Sequence, residues 1–164
     1  MAIRKIVLKG DEILNKRCKE VREINDRILE LLDDMRDTLY ENGNGVGLAA
    51  PQVGILKRLV VIDVGEGLIE MINPVIVETE GEQVEVEGCL SIPGVYGKVR
   101  RPERVIVEYL NREGKKARTE GHGLLAICIC HELDHLDGIL FDEKVIEFVD
   151  LEKEDEDTGS RKRK

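Results

Sequence analysis

The chain has 164 residues, of which 41% are hydrophobic and 36% charged, and this is the length and composition of one globular domain rather than of a disordered or fibrous protein. Its formal net charge of −9 argues against DNA as a partner, because nucleic-acid-binding proteins need a basic surface to replace phosphate counterions. With no apolar run near the roughly 20 residues of a membrane span and no opening export signal, we expect a cytoplasmic protein with no membrane partner and no disulfides.

The first predicted element is an amphipathic helix in the amino-terminal third. Asn25 is a plausible N-cap, and Asn42-Gly43 is a plausible stop signal. Between them, apolar residues recur at the spacing of one helix face: Ile28, Leu31, Leu32, Met35 and Leu39. A glycine-broken segment follows at 43–54, and the β-branched run RLVVIDV at 58–64 predicts a buried strand.

The middle of the chain predicts a mostly antiparallel sheet. Residues 68–88 and 98–120 carry short β-branched runs separated by Gly, Pro and Asn turns. One further helix is predicted to begin after Gly123 and to run to about Asp137, where Gly138 can end it. From residue 151 onward five acidic and five basic residues predict a flexible charged tail, 151–164, after a single domain of residues 1–150.

The stretch CICHELDHLDG, residues 128–138, places His131 and His135 four residues apart on this helix. Such residues share a face, so both imidazoles can hold one metal ion, and Glu132 is placed to take a proton from water. The alternative is a helix with two solvent-facing histidines. We expect the flanking apolar residues to be buried, and burial of these polar groups without a partner would be costly, which favours a metal site. The flanking residues are Leu124, Leu125, Ile127 and Ile129.

A catalytic site of this kind needs a third protein ligand. The position at which a metzincin-type protease carries a third histidine holds Phe141, which cannot ligate a metal. A thermolysin-like protease would use a downstream glutamate, but Glu143 and Glu147 leave no room for the usual intervening helix. Upstream, Cys89 lies in the polar, glycine-flanked segment EGCLSIPG at 87–94, and a thiolate at a strand end could reach the helix.

Three segments together resemble the peptide deformylase family: GVGLAAPQ at 45–52, EGCLS at 87–91 and HELDH at 131–135. The resemblance extends over about residues 3–149. It implies a metal-dependent hydrolase that removes the N-formyl group from the formyl-methionine of newly synthesised polypeptides and releases formate. With the predicted elements it implies an α+β fold, in which antiparallel or mixed sheets pack around a central carboxy-terminal metal-binding helix, with the amphipathic helix at the amino-terminal end.

The resemblance also implies roles for individual residues. Cys89, His131 and His135 would hold one divalent metal ion, commonly Fe(II), with Zn(II), Ni(II) or Co(II) as alternatives. Glu132 would be the general base and then the general acid. The oxyanion would be stabilised by two donors, the side-chain amide of Gln52 and the backbone N–H of Leu90. The partners would be formyl-methionyl nascent chains, and the basic end at 161–164 is a candidate for a transient ribosome contact.

Two groups of residues are predicted to bind substrate. Leu124, Ile127 and Cys128 continue the helix face of the first histidine as an apolar stripe that suits a methionine side chain, unless they only form core. Gly45, Val46 and Gly47 are predicted to pair with the substrate backbone at a strand edge, the alternative being that these glycines only form turns.

Three positions depart from or extend the family pattern. Cys130 stands where glutamine is usual, and we expect it to face away from the metal. The stretch at 94–96 lacks an arginine that contacts substrate in many relatives, and Glu87 is expected to pair with Arg101 as support for the site. Two rival functions remain: a general metallopeptidase that cuts unformylated peptides, and a non-catalytic binding protein that metal only stabilises.

Overall fold

Two antiparallel sheets and two helices make up the fold in the computed structural model, which describes residues 2–43 and 45–150. The helices are α1 (Asp26–Glu41) and α2 (Leu124–Leu136). The strands are β1 (Gly47–Ala49), β2 (Leu59–Ile62), β3 (Ile69–Glu80), β4 (Gln83–Cys89), β5 (Ile92–Arg101), β6 (Arg104–Leu110), β7 (Lys116–His122) and β8 (Val145–Val149). Short 3-10 turns cover Glu12–Asn15, Ala50–Val53 and Phe141–Lys144. The predicted tail at 151–164 lies outside the described residues, so the boundary at residue 150 stays a prediction.

The predicted α+β fold is confirmed, and each sheet presents one edge strand to the region of the site. The larger sheet has the order β1-β2-β3-β6-β7, and the smaller sheet has the order β4-β5-β8. Every pairing between these strands is antiparallel. The first half of β5 and all of β8 were not predicted from the sequence.

The helix α1 confirms its predicted caps and buried face. Asn25 accepts a hydrogen bond from the Ile28 N–H at 3.1 Å, which satisfies one of the donors that a helix start leaves unpaired. The apolar stripe packs on the larger sheet, and α2 covers the opposite face of the same sheet. In β2, Leu59 and Val61 therefore pack with α1, while Val60 and Ile62 pack with α2. Burial on both faces explains why this strand is continuously apolar.

The helix α2 begins after Gly123, whose φ of +56° suits glycine, and it lies in the main core. The predicted burial of its flank is confirmed for Ile127 and Ile129, and Leu125 is partly buried. It is wrong for Leu124, which is 53% exposed because it stands at the open end of a cleft. Within the described part of the chain, neither helix is long and apolar enough to cross a membrane.

The extended amino-terminal segment ties the functional segments together. The N–H of Arg4 donates to Thr38 Oγ1 on α1 at 2.8 Å. Further along, the Val7 N–H donates to the backbone carbonyl of Gln52 at 2.7 Å, and the Lys9 N–H donates to that of Ser91 at 2.8 Å. The segments at 45–52 and 87–91, which carry part of the family resemblance, are therefore both hydrogen-bonded to the amino-terminal segment.

Candidate metal centre and active site

The structure brings the three predicted metal ligands together. Cys89 is the last residue of β4, and His131 and His135 lie one turn apart on α2. The Cys89 Sγ atom lies 3.3 Å from His135 Nε2, and one ligand atom from each of the three residues lies within 4.8 Å of the others. A sulfur and two imidazole nitrogens are a donor set that suits Fe(II) or Zn(II).

A carboxylate behind His131 fixes the direction of its ring. Glu87 Oε1 accepts a hydrogen bond from His131 Nδ1 at 2.8 Å, which leaves Nε2 available for a metal. Arg101 donates twice to Glu87, at 2.8 and 3.0 Å, and once to Asp134 at 2.7 Å. The predicted ion pair is thus confirmed. Burial raises the pKa of Glu87, but the hydrogen bonds from His131 and Arg101 outweigh burial and hold the pKa below its ordinary value.

The electrostatics of the cluster fit a cation. Burial lowers the pKa of His135 well below its ordinary value, so this imidazole is neutral and able to ligate. Burial also lowers the pKa of His131, but the charge of Glu132 and the hydrogen bonds with Cys89 and Glu87 act against burial and bring it to about 10. The carboxylates that favour a protonated His131 also favour a metal cation at the same place. Phe141 also stacks on the His131 ring, with the two ring centroids 5.8 Å apart.

Glu132 is buried beside the cluster and has an unusual protonation equilibrium. Burial raises the pKa of Glu132 to about 7, with His131 opposing the shift. Among the described residues its Oε1 atom has no hydrogen-bond partner. Its Oε2 atom lies where a Cβ atom at Gly47 would stand 2.6 Å away, so only glycine leaves room for the carboxylate. A carboxylate with a pKa near neutral and an unpaired oxygen is suited to accept and return a proton.

Gln52 approaches the metal ligands from the 3-10 turn after β1. Its Oε1 atom accepts a hydrogen bond from the Ala49 N–H at 3.0 Å, which sets the orientation of the amide. Its Nε2 atom donates to Ser91 Oγ at 3.1 Å and lies 3.5 Å from Cys89 Sγ. Leu90 follows the cysteine in the turn between β4 and β5, and its side chain lines the same cleft.

A cleft of about 980 Å³ opens over the metal ligands. The strands β1 and β4, each the edge of its sheet, contribute to its walls together with the first two turns of α2. Every predicted substrate-binding residue lines it: Gly45, Val46, Gly47, Leu124, Ile127 and Cys128. An extended peptide therefore has an open strand edge to pair with and an apolar helix face to contact.

The remaining cysteines are separated from the ligand set. Burial raises the pKa of Cys18 and Cys130 to about 11 and that of Cys128 to about 12, so all three are thiols at neutral pH. Cys130 faces a second cavity of about 610 Å³ behind α2, as expected from its helical position. Cys128 lines the cleft without belonging to the metal cluster.

Two supporting contacts were not predicted. The sequence indicated the pairing of Glu87 with Arg101 but not its hydrogen bond to His131, although a signal existed, since Glu87 and Cys89 lie on one face of a strand. The contact of Ser91 with Gln52 had no sequence signal, because it depends on how two distant loops pack. In the stretch 94–96, Tyr96 lines the cleft and packs against Gly88.

Comparisons with known proteins identify relatives of the whole chain. The sequence profile of the polypeptide deformylase family matches residues 3–150. The chain is 66% identical over 150 residues to a peptide deformylase of Acetivibrio thermocellus, covering 92% of this chain and 88% of that protein. It is 60% identical over 156 residues to one of Thermoanaerobacter pseudethanolicus, covering 95% and 98% of the two chains.

Solved structures show the same fold. A peptide deformylase from Thermotoga maritima superposes with a TM-score of 0.86 at 38% identity, covering 88% of this chain and 99% of that chain. One from Synechococcus elongatus, solved in complex with actinonin, superposes with a TM-score of 0.83 at 45% identity, covering 87% and 78%.

Proposed function

The chain belongs to the polypeptide deformylase family, and we propose that its cleft performs the reaction at a metal ion held by Cys89, His131 and His135. This enzyme removes the formyl group from the amino-terminal methionine of newly synthesised polypeptides. The observation that supports the assignment of residues is the meeting of the three ligand atoms within 4.8 Å of one another, with Cys89, His131 and Glu132 lining the cleft. A structural metal site would have no need of such a base.

The metal and Glu132 divide the chemistry of amide hydrolysis. When bound, a divalent ion here supplies a Lewis acid that makes a water molecule nucleophilic near neutral pH. Glu132 takes a proton from the water while the water oxygen bonds to the formyl carbon. Glu132 later gives this proton to the leaving nitrogen. The C–N bond then breaks, and formate and a peptide with a free amino group are released. The Oε1 atom of Glu132, which has no hydrogen-bond partner among the described residues, is available to hold the proton between the two steps.

Charge that develops on the formyl oxygen needs donors in fixed positions. We assign this role to the Gln52 side-chain amide and the Leu90 backbone N–H. The amide is supported by its contacts with Ala49 and Ser91, so little reorganisation is required when charge appears. A donor fixed in this way typically contributes about 3 kcal/mol to stabilisation of the transition state.

The substrate lies between the strand edges in this proposal. Its backbone pairs with Gly45, Val46 and Gly47, which precede and begin the edge strand β1. Its methionine side chain packs on Leu124, Ile127 and Cys128 of α2. The 53% exposure of Leu124 supports this, because an apolar side chain at the mouth of a cleft is available to a ligand in a way that core residues are not.

We propose Fe(II) as the native ion, with Zn(II), Ni(II) and Co(II) able to replace it at the same ligands. The enzyme acts in the cytoplasm, where its nascent-chain substrates are made. A transient contact with the ribosome through the basic residues 161–164 completes the proposal; those residues lie outside the described part of the structure.

The test is formate release from formyl-methionyl peptides, with metal analysis of anaerobically purified protein. We expect about one equivalent of divalent metal and release of formate without cleavage of the internal peptide bonds. A general metallopeptidase would instead cut an unformylated peptide of the same sequence. If formyl-methionyl peptides stay intact while unformylated peptides are cut, the proposed function is wrong.

A further inference from the structure

A free carboxylate lies on the wall of the cleft opposite the apolar face of α2. Glu85 lines the cleft and is exposed, and no hydrogen bond or ion pair joins its carboxylate to the other described residues. The apolar residues proposed for methionine need no charge opposite them. The lining residues in the described part of the chain include no Lys or Arg, so no basic side chain of the cleft neutralises this glutamate.

The register of β4 against α2 places Glu85 beside the proposed methionine pocket. At one end, Gln83 Nε2 donates to the carbonyl of Gly123 at 2.9 Å, just before α2 begins. At the other end, Glu87 accepts from His131. From residue 123 to residue 131 the helix rises about 12 Å, and from residue 83 to residue 87 the strand rises about 13 Å. Because these rises are similar, the two elements run alongside each other between the two contacts.

Halfway between these two contacts, the strand has reached Glu85 and the helix has reached Ile127. Alternate strand residues share a face, so Glu85 lies on the same side of β4 as Gln83 and Glu87. The neighbouring Arg101 does not neutralise Glu85, because its guanidinium group donates to Glu87 and Asp134. If the first side chain of a substrate packs on Ile127, the unpaired carboxylate of Glu85 would therefore lie near it.

We propose that Glu85 lets the pocket accept a long cationic side chain, with lysine as the probe, at the position that methionine occupies. The aliphatic stem of lysine would pack on Ile127 and Leu124 as the methionine stem does, and its ammonium group would reach the exposed carboxylate of Glu85. Glu85 thus sets how strictly the enzyme selects a neutral first residue. This inference rests on the proposed function of the cleft.

The test compares formate release from peptides that differ only in their first residue. Formyl-lysyl and formyl-norleucyl peptides have similar stems and differ in charge, so the ratio of their kcat/KM values isolates the contribution of the ammonium group. We expect Glu85→Gln to lower the lysine-to-norleucine ratio about two- to fivefold, as for a solvent-exposed ion pair. Glu85→Lys should lower it further, and high salt should reduce the difference between the wild type and Glu85→Gln.

The matched control is Glu82→Gln, which removes the same charge from an exposed glutamate that does not line the cleft and faces Arg100. Its ratio should equal that of the wild type. A formyl-diaminopropionyl peptide, whose ammonium group is too short to reach the rim, should lose much less from Glu85→Gln than the lysyl peptide does. An equal loss of kcat/KM for the lysyl and diaminopropionyl peptides would indicate a general charge effect. It would overturn the proposed contact between the lysine ammonium group and Glu85.

The inference is also wrong if the lysine-to-norleucine ratio is the same in the wild type and in Glu85→Gln. Formyl-methionyl peptide in the same assay separates this failure from a failure of the proposed function. Cleavage of that peptide with an unchanged ratio rejects only the role of Glu85, whereas no cleavage of it by the metal-loaded wild type rejects the function.

Discussion

Nδ1 of His131 donates a hydrogen bond of 2.8 Å to Oε1 of Glu87, a residue that lies 44 positions earlier in the chain. This contact selects the tautomer in which Nε2 carries the lone pair, and it holds the ring in the direction of Cys89 and His135. Arg101 in turn holds Glu87 in place with two hydrogen bonds. The orientation of one proposed metal ligand therefore depends on the buried ion pair of Glu87 with Arg101.

Glu87→Gln is expected to weaken metal binding while leaving the fold intact. The amide keeps the size of the carboxylate but removes the charge that makes His131 a stronger ligand, and loss of such a partner costs about 10- to 100-fold in metal affinity. Competition with a chelator measures the affinity, and circular dichroism checks the fold. Affinity equal to that of the wild type would show that Glu87 serves only to pair with Arg101.

Glu132→Gln is expected to retain the metal and lose the activity. An amide cannot take the proton of water, and general base catalysis contributes roughly 10²- to 10⁴-fold. Metal content by elemental analysis and formate release by a coupled assay separate the two effects. Turnover near that of the wild type in this variant would contradict the role proposed for Glu132.

Gly47→Ala is expected to lower kcat by displacing Glu132. The added Cβ atom would stand 2.6 Å from Oε2 and 3.0 Å from Cγ of Glu132, so the carboxylate has to move. A shift of about 1 Å in a reacting group can cost about 10²-fold in rate. Gly45→Ala is the comparison, because its Cβ atom would instead meet the side chain of Leu90 at 2.9 Å.

The two glycine variants should therefore differ in which kinetic constant changes. Gly47→Ala should reduce kcat more than it raises KM, whereas Gly45→Ala should act mainly on KM through the wall of the cleft. Steady-state kinetics on one formyl-methionyl peptide measures both values. The same profile in both variants would mean that neither glycine has a specific relation to Glu132.

Cys89→Ala is expected to bind metal weakly and to release essentially no formate, because two histidines alone leave the ion under-coordinated. Cys130→Gln is the control: it introduces the usual family residue and faces the cavity of about 610 Å³ behind α2, where there is room for the longer side chain. We expect full metal content and activity from it. A Cys89→Ala protein with one equivalent of metal and normal activity, beside an inactive Cys130→Gln protein, would overturn the ligand assignment.

The sequence by itself determined both helices, most of the strands and the candidate members of the site. The helical stripe from Ile28 to Leu39, its caps and the spacing of His131 and His135 are local patterns, and each is confirmed because the period of a helix or a strand is fixed by backbone geometry. The three segments GVGLAAPQ, EGCLS and HELDH, in this order, indicated the family, which is confirmed.

Only the tertiary structure decided how residues far apart in the chain meet. The contact of Glu87 with His131 and that of Ser91 with Gln52 depend on the register of one element against another. The predicted burial of Leu124 was wrong for the same reason, since periodicity gives the face of a helix but not where a cleft opens along it. Side-chain packing between distant segments sets that register, and no local pattern contains it.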